Sequence, residues 1–136
     1  MQPPSAILET ALYCPDLDAA QHFYGTVLGL PLITRAGNRH LFFRLSQSVL
    51  LIFNPAETRL PARNPAMPVP SHGATGPGHL CFAATRPELD TWRAHLTAHQ
   101  IPIEAEFDWP SGARSLYIRD PAGNSVEFAE PRLWFD

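Results

Sequence analysis

Apolar and polar positions along this chain change period several times, and the same order of changes occurs twice. Ala6 to Tyr13 is mostly apolar with one charge, Glu9, in its middle, and predicts a strand. Cys14-Pro15-Asp16-Leu17-Asp18 supplies turn and helix-capping residues. Ala20, Phe23, Tyr24, Val27 and Leu28 then recur at helical spacing, which predicts a helix over 19–28 with a buried apolar stripe. Gly29 is placed to end it in the left-handed conformation. Strands are predicted over 31–36, 40–45 and 48–53, separated by Gly37-Asn38 and Ser46-Gln47 as hairpin turns.

From Asn54 to Gly78 the character changes. Pro55, Pro61, Pro65, Pro68, Pro70 and Pro77 fix φ and remove donors, so this stretch predicts a linker or an ordered loop. Beyond it the first order returns. A strand is predicted over 78–84. Thr85 and Glu88 have capping-box spacing with Pro87 in the first turn, and a helix over 87–99 follows with Leu89, Trp92 and Leu96 on one face. Strands are predicted over 103–107, 115–119 and 125–129. Asp120 and Gly123 read as turn residues, and the tail from Pro131 carries Trp134 and Phe135, expected to dock on the body.

Strand, helix and three strands, twice, make an internal repeat. Pro31 aligns with Pro102, Leu8-Glu9-Thr10 with Gly78-His79-Leu80, and Ser48-Val49-Leu50-Leu51 with Ser125-Val126-Glu127-Phe128. The expected architecture is α+β, with tandem βαβββ modules forming a curled mixed sheet around a cup and helices outside. The modules are expected at 1–54 and 78–136, with 55–77 as the connecting loop.

The repeat pairs Glu9 with His79 and Leu50 with Glu127. Strand alternation sends Glu9, Ala11 and Tyr13 to one face, and His79, Cys81 and Ala83 likewise. Glu127 points away from the helix layer between Val126 and Phe128. Two carboxylates inside a cup are costly without a cation, because each ion loses several kcal/mol of hydration. Glu9, His79 and Glu127 are therefore candidate ligands of a divalent metal. Their oxygen-rich set with one imidazole suits Zn, Mn, Fe, Ni or Co, and three protein ligands leave positions open for substrate.

Composition narrows the partners. The net charge is -3 and only 17% of residues are charged, with scattered Lys and Arg, so no clustered basic face marks a nucleic-acid site. No apolar run is long enough for a membrane span, and the start Met1-Gln2-Pro3-Pro4 lacks the features of a secretion signal. Cys14 and Cys81 read as reduced core thiols of a cytoplasmic protein.

Phe23-Tyr24-Gly25-Thr26-Val27-Leu28-Gly29-Leu30, Gly78-His79-Leu80-Cys81-Phe82 and Asp120-Pro121-Ala122-Gly123-Asn124-Ser125-Val126-Glu127 resemble the vicinal oxygen chelate superfamily over about residues 6–130. That superfamily includes glyoxalase I, extradiol dioxygenases, fosfomycin-modifying enzymes and bleomycin-binding proteins. The resemblance places Glu9, His79 and Glu127 on the family's metal positions. Leu50 falls on the fourth, where glyoxalase I has a carboxylate, and Glu9 stands where the dioxygenase and fosfomycin branches usually carry His. It implies a homodimer.

The expected function is a metal-dependent enzyme whose small substrate chelates the ion through vicinal oxygens, by lyase, isomerase, dioxygenase or transferase chemistry. The alternative is a binding protein of the bleomycin-resistance kind that sequesters an antibiotic or metabolite without catalysis. His72 and Tyr117 are candidates for acid–base work. Arg39, His40, Trp109, Arg114 and Ser115 are candidates for substrate contact.

Overall fold

Alternation along each strand is resolved by one covered and one open sheet face. The computed structural model describes residues 1–135, with Asp136 outside them, and divides into two compact units, Met1–Gly76 and a second beginning at Pro77. The first contains β1 (Glu9–Tyr13), α1 (Leu17–Ala20) continuing as a wider helical segment (Gln21–Val27), β2 (Leu32–Ala36), β3 (His40–Arg44), β4 (Val49–Phe53) and α2 (Pro55–Thr58). The second contains β5 (His79–Ala83), α3 (Arg86–Ala98), β6 (Ala105–Asp108), β7 (Arg114–Arg119), β8 (Ser125–Ala129) and a short 3₁₀ turn, Pro131–Leu133. The sheet orders are β1-β4-β3-β2 and β5-β8-β7-β6. β1 with β4 and β5 with β8 are the parallel pairs, and the other neighbours are antiparallel. The repeat in the sequence is thus a repeat of βαβββ topology.

In the first unit Leu41, Phe43, Leu50 and Ile52 point to the helical side and are fully buried with Tyr24. Asp16 caps α1 by accepting from the Ala19 amide at 3.0 Å. The helix then loosens: the Leu28 amide reaches the Phe23 carbonyl at 2.9 Å, five residues back rather than four. In the second unit Leu116, Ile118 and Val126 pack with Leu89 and Leu96 of α3. Thr85 and Glu88 close the expected capping box. Trp92 completes this layer against Phe128, ring centroids 4.7 Å apart.

Several expectations change. Of the two expected readings of the proline-rich connection, linker or ordered loop, the structure has the ordered one. Asn54, buried, accepts from the Ala56 amide and donates to the Asn38 carbonyl at 3.0 Å. That cap and Pro55 nucleate α2, and the His72 amide donates to the Thr58 carbonyl at 3.0 Å. The chain through Gly76 therefore packs as part of the first unit. Trp134 and Phe135 do not dock: they are 79% and 74% exposed, because the turn at Pro131–Leu133 closes on itself and leaves their rings outside. Cys14 is a buried thiol as expected, but Cys81 is exposed, since alternation puts it on the open face beside His79.

Candidate metal and substrate site

Glu127 lies mid-strand in β8, where its neighbours across the ladder are Cys81 of β5 and Tyr117 of β7. Its side chain points to the open face of the sheet yet is only 5% exposed, because those neighbours crowd it. Both are near enough for its carboxylate to affect their acidity. Although Cys81 is exposed as a residue, partial desolvation of its sulfur, and then Glu127, push the thiol up to about 12, and the same two causes push the Tyr117 hydroxyl up to about 12. Both groups therefore hold their protons at neutral pH.

His79 opens β5 on the same face. Its Nδ1 lies 3.1 Å from the Ser125 carbonyl oxygen, which only accepts, so Nδ1 carries the hydrogen. Nε2 is the remaining ring position, and it faces Glu127 Oε2 at 3.3 Å, where a proton or a metal ion would join the pair. Glu127 Oε1 is buried with no hydrogen-bond partner. A buried carboxylate oxygen left without a donor costs about 1–3 kcal/mol or more. The residues present thus fit a cation: two donors converge, one with its tautomer fixed by the backbone and one with an unsatisfied oxygen. Metal–nitrogen and metal–oxygen bonds are each about 2 Å, so this separation is compatible with both donors on one ion. Within either unit, among the described residues, no three His, Cys, Asp or Glu side chains gather into a metal-holding group.

Aromatic rings wall this face. Tyr117 stacks on Phe107 with ring centroids 5.9 Å apart, and Phe107 meets Trp109 at 4.9 Å. Trp109 Nε1 donates to Ser115 Oγ at 2.8 Å. Ser115 is fully buried, so its hydroxyl supports Trp109 and Tyr117. Arg114 grips both oxygens of Asp108 through Nε and Nη2, at 2.9 and 3.1 Å.

The first unit gathers a second set. Glu9, Arg39, His72, Phe42, Leu51 and Phe53 line one cavity of about 540 Å³ on the open face. His72 lies over Phe53, ring centroids 4.7 Å apart, and its Nδ1 is 2.7 Å from the Tyr13 hydroxyl. Arg39 Nη1 lies 2.7 Å from His40 Nδ1. Because guanidinium only donates, that nitrogen is the acceptor. Burial and the adjacent Arg39 charge lower the His40 pKa, which agrees with a neutral ring. His40 also stacks on Phe42 at 4.0 Å.

The register corrects one equivalence. Ala11 pairs with Leu51, as Cys81 pairs with Glu127. The residue matching Glu127 is therefore Leu51 on the open face, not Leu50, which is fully buried on the helical face. The slip of one residue reverses the face but leaves the fourth position apolar. Cys81, Phe107 and Tyr13 were not singled out from sequence as site residues, although alternation from His79 and Glu9 points to the first and third.

A family model of the glyoxalase/bleomycin resistance protein/dioxygenase superfamily matches residues 6–128. A crystal structure of lactoylglutathione lyase from Agrobacterium tumefaciens is 48% identical, covers 98% of this chain and 98% of its own, and superposes with a TM-score of 0.90. A glyoxalase/bleomycin resistance protein/dioxygenase from Nocardioides is 24% identical, with 96% and 85% covered and a TM-score of 0.73. A virulence protein from Salmonella typhimurium shares the fold at 22% identity, with 95% and 98% covered and a TM-score of 0.70. No curated protein matches. The chain belongs to the glyoxalase/bleomycin resistance protein/dioxygenase superfamily.

Proposed function

We propose that this protein is a divalent-metal-dependent enzyme of its superfamily, with lyase chemistry on a small oxygenated substrate that chelates the ion. The observation that carries the reading is the buried Oε1 of Glu127, without a hydrogen-bond partner, on a carboxylate whose other oxygen meets His79 Nε2 at 3.3 Å. In this reading His79 and Glu127 of the second module and Glu9 of the first hold Zn, Mn, Fe, Ni or Co. The two modules belong to one chain or to two chains of a homodimer. The 48% identity to a lactoylglutathione lyase supports the lyase class.

When bound, the ion supplies Lewis acidity to a substrate oxygen. The chain's own groups do the rest. Tyr117 keeps its hydroxyl proton beside Glu127 and is a candidate proton donor to substrate. Phe107 and Trp109 give that face an apolar wall. His72 is the acid–base candidate of the first module, held by Tyr13. Leu51, where a carboxylate would match Glu127, leaves the site one acidic ligand short of glyoxalase I. Dioxygenase and transferase chemistry on the same ion are the other reactions to assay.

The test is elemental analysis of untagged protein beside Glu127→Ala, with turnover of lactoylglutathione followed on the loaded protein. About one metal per chain in wild type and loss in the variant is the expected result. Unchanged stoichiometry in the variant refutes the site. A protein that binds no metal but retains an apolar ligand is the sequestering alternative, which the aromatic floor of Phe42 and Phe53 would serve.

A further inference from the structure

A second cavity, about 550 Å³, lies in the first unit between the β2–β3 turn and the proline-rich segment. It shares Arg39, Val69 and Pro70 with the cavity that contains Glu9, so the two adjoin at these residues. Its size suits a small organic ligand. Three of its lining residues, Leu60, Met67 and Val69, are large apolar side chains left about half exposed or more. They come from one segment and face one space, which distinguishes them from apolar residues scattered singly over a surface.

Arg39 stands at the junction. It is half-buried, its guanidinium carbon lies 5.6 Å from the Phe53 ring centroid, and no carboxylate pairs with it among the described residues. Arg35, Arg63, Arg86, Arg93, Arg114, Arg119 and Arg132 have acidic partners, and of Arg39, Arg44 and Arg59, for which no ion pair is found among the described residues, Arg39 is the one that lines both cavities. One Arg39 donor is taken by His40, which orients the fork. The backbone beneath is pinned: the Arg39 amide donates to Ala36 and its carbonyl accepts from Asn54, both at 2.8 Å. A half-buried guanidinium with spare donors, fixed on rigid backbone beside an apolar wall, is built to receive a planar anion.

We propose that Arg39 binds the carboxylate of an amphiphilic organic-acid substrate, whose apolar extension lies along Leu60, Met67 and Val69. This rests on the enzymatic reading above for the identity of the ligand as substrate, since the same cavity wall leads to Glu9. Carboxylate is favoured over phosphate by charge. Glu57 and Arg63 also line this cavity but pair with each other at 3.5 Å, so Arg39 is left as its uncompensated charge, which matches a singly charged carboxylate better than a phosphate of about two charges.

The experiment is an NMR titration with octanoate, octan-1-ol and octyl phosphate as probes, reading the Arg39 Nε–H and the Met67 methyl. Wild type, Arg39→Gln and Arg39→Lys are compared, with thermal melts to confirm folding. Octanoate should shift both reporters saturably. Arg39→Gln should weaken it about ten- to a hundred-fold, and Arg39→Lys should fall between. Equal affinity for octanoate in Arg39→Gln, octan-1-ol binding as tightly as octanoate, or shifts confined to other residues would each overturn the proposal. Tighter binding of octyl phosphate would overturn the choice of carboxylate. The titration is repeated on Glu127→Ala with its metal content measured. Probe binding that survives metal loss leaves this subsite standing if the metal reading fails, and metal uptake without probe binding separates the converse case.

Discussion

His79 Nε2 faces Glu127 Oε2 across 3.3 Å while His79 Nδ1 is held by the Ser125 carbonyl. A positive centre, a proton on Nε2 or a metal ion, is needed to hold the two atoms together at that distance, and Glu127 Oε1 has no hydrogen-bond partner. Glu127→Leu is therefore expected to act in opposite directions. In chelator-treated protein it should leave stability unchanged or raise it by about 1–3 kcal/mol, because an unsatisfied buried carboxylate is removed. In metal-loaded protein it should abolish the stabilisation that metal brings. Thermal melts with and without metal decide this, and a variant less stable than wild type in chelator contradicts it.

Leu51 occupies the first-module place of Glu127 and is 7% exposed. Leu51→Glu puts a carboxylate among Ala11, Phe42 and Phe53. A cost of about 2–4 kcal/mol is expected in metal-free protein. If the reading of the metal centre is correct, added zinc or nickel restores part of it. Denaturant titration with each ion is the measurement.

Gly29 and Gln100 occupy aligned positions after the two helices, and both have positive φ, 73° and 58°. For a side-chain-bearing residue this conformation costs roughly 1–2 kcal/mol, and glycine's greater freedom in the unfolded chain offsets about half. Gln100→Gly should raise stability by about 0.5–1 kcal/mol. Gly29→Ala, which has open space around it, should lower stability by about 1 kcal/mol through backbone strain alone. Urea midpoints of the two variants should move in opposite directions.

Arg93 Nε donates to Glu106 at 2.7 Å, and this hydrogen bond holds the Glu106 carboxyl below its ordinary range, with the charges of Arg93 and Arg114 adding to it. A carboxylate with a depressed folded pKa stabilises the fold above its unfolded value, about 4.3. That contribution fades as pH falls through the depressed value. Glu106→Gln should thus cost about 1 kcal/mol at pH 7 and progressively less in acid. A difference from wild type that stays constant from pH 7 to pH 3 would count against it.

Much of this arrangement was legible in the chain. Elements and their order followed from periodicity and caps, and strand alternation placed Glu9, Ala11 and Tyr13 together and His79 with Cys81. Sequence could not see that Asn54 would clamp the proline-rich segment to the β2–β3 turn, because Asn38 and Asn54 are separate in sequence and meet only through the hairpin. Arg114 and Ser115 were expected to contact substrate, from strand alternation and residue type, and sequence could not show what they already bond. Their actual partners, Asp108 and Trp109, compete for the same donors and acceptors.

The sequence by itself determined the two βαβββ modules, the faces of their strands and the identities of the candidate ligands, since those depend on local period and residue type. The tertiary structure decided the register that matches Leu51 to Glu127, the tautomer of His79, the burial of Glu127 and the free fork of Arg39. Each depends on which backbone or side-chain groups from distant segments come within hydrogen-bonding distance, and local pattern carries no record of that.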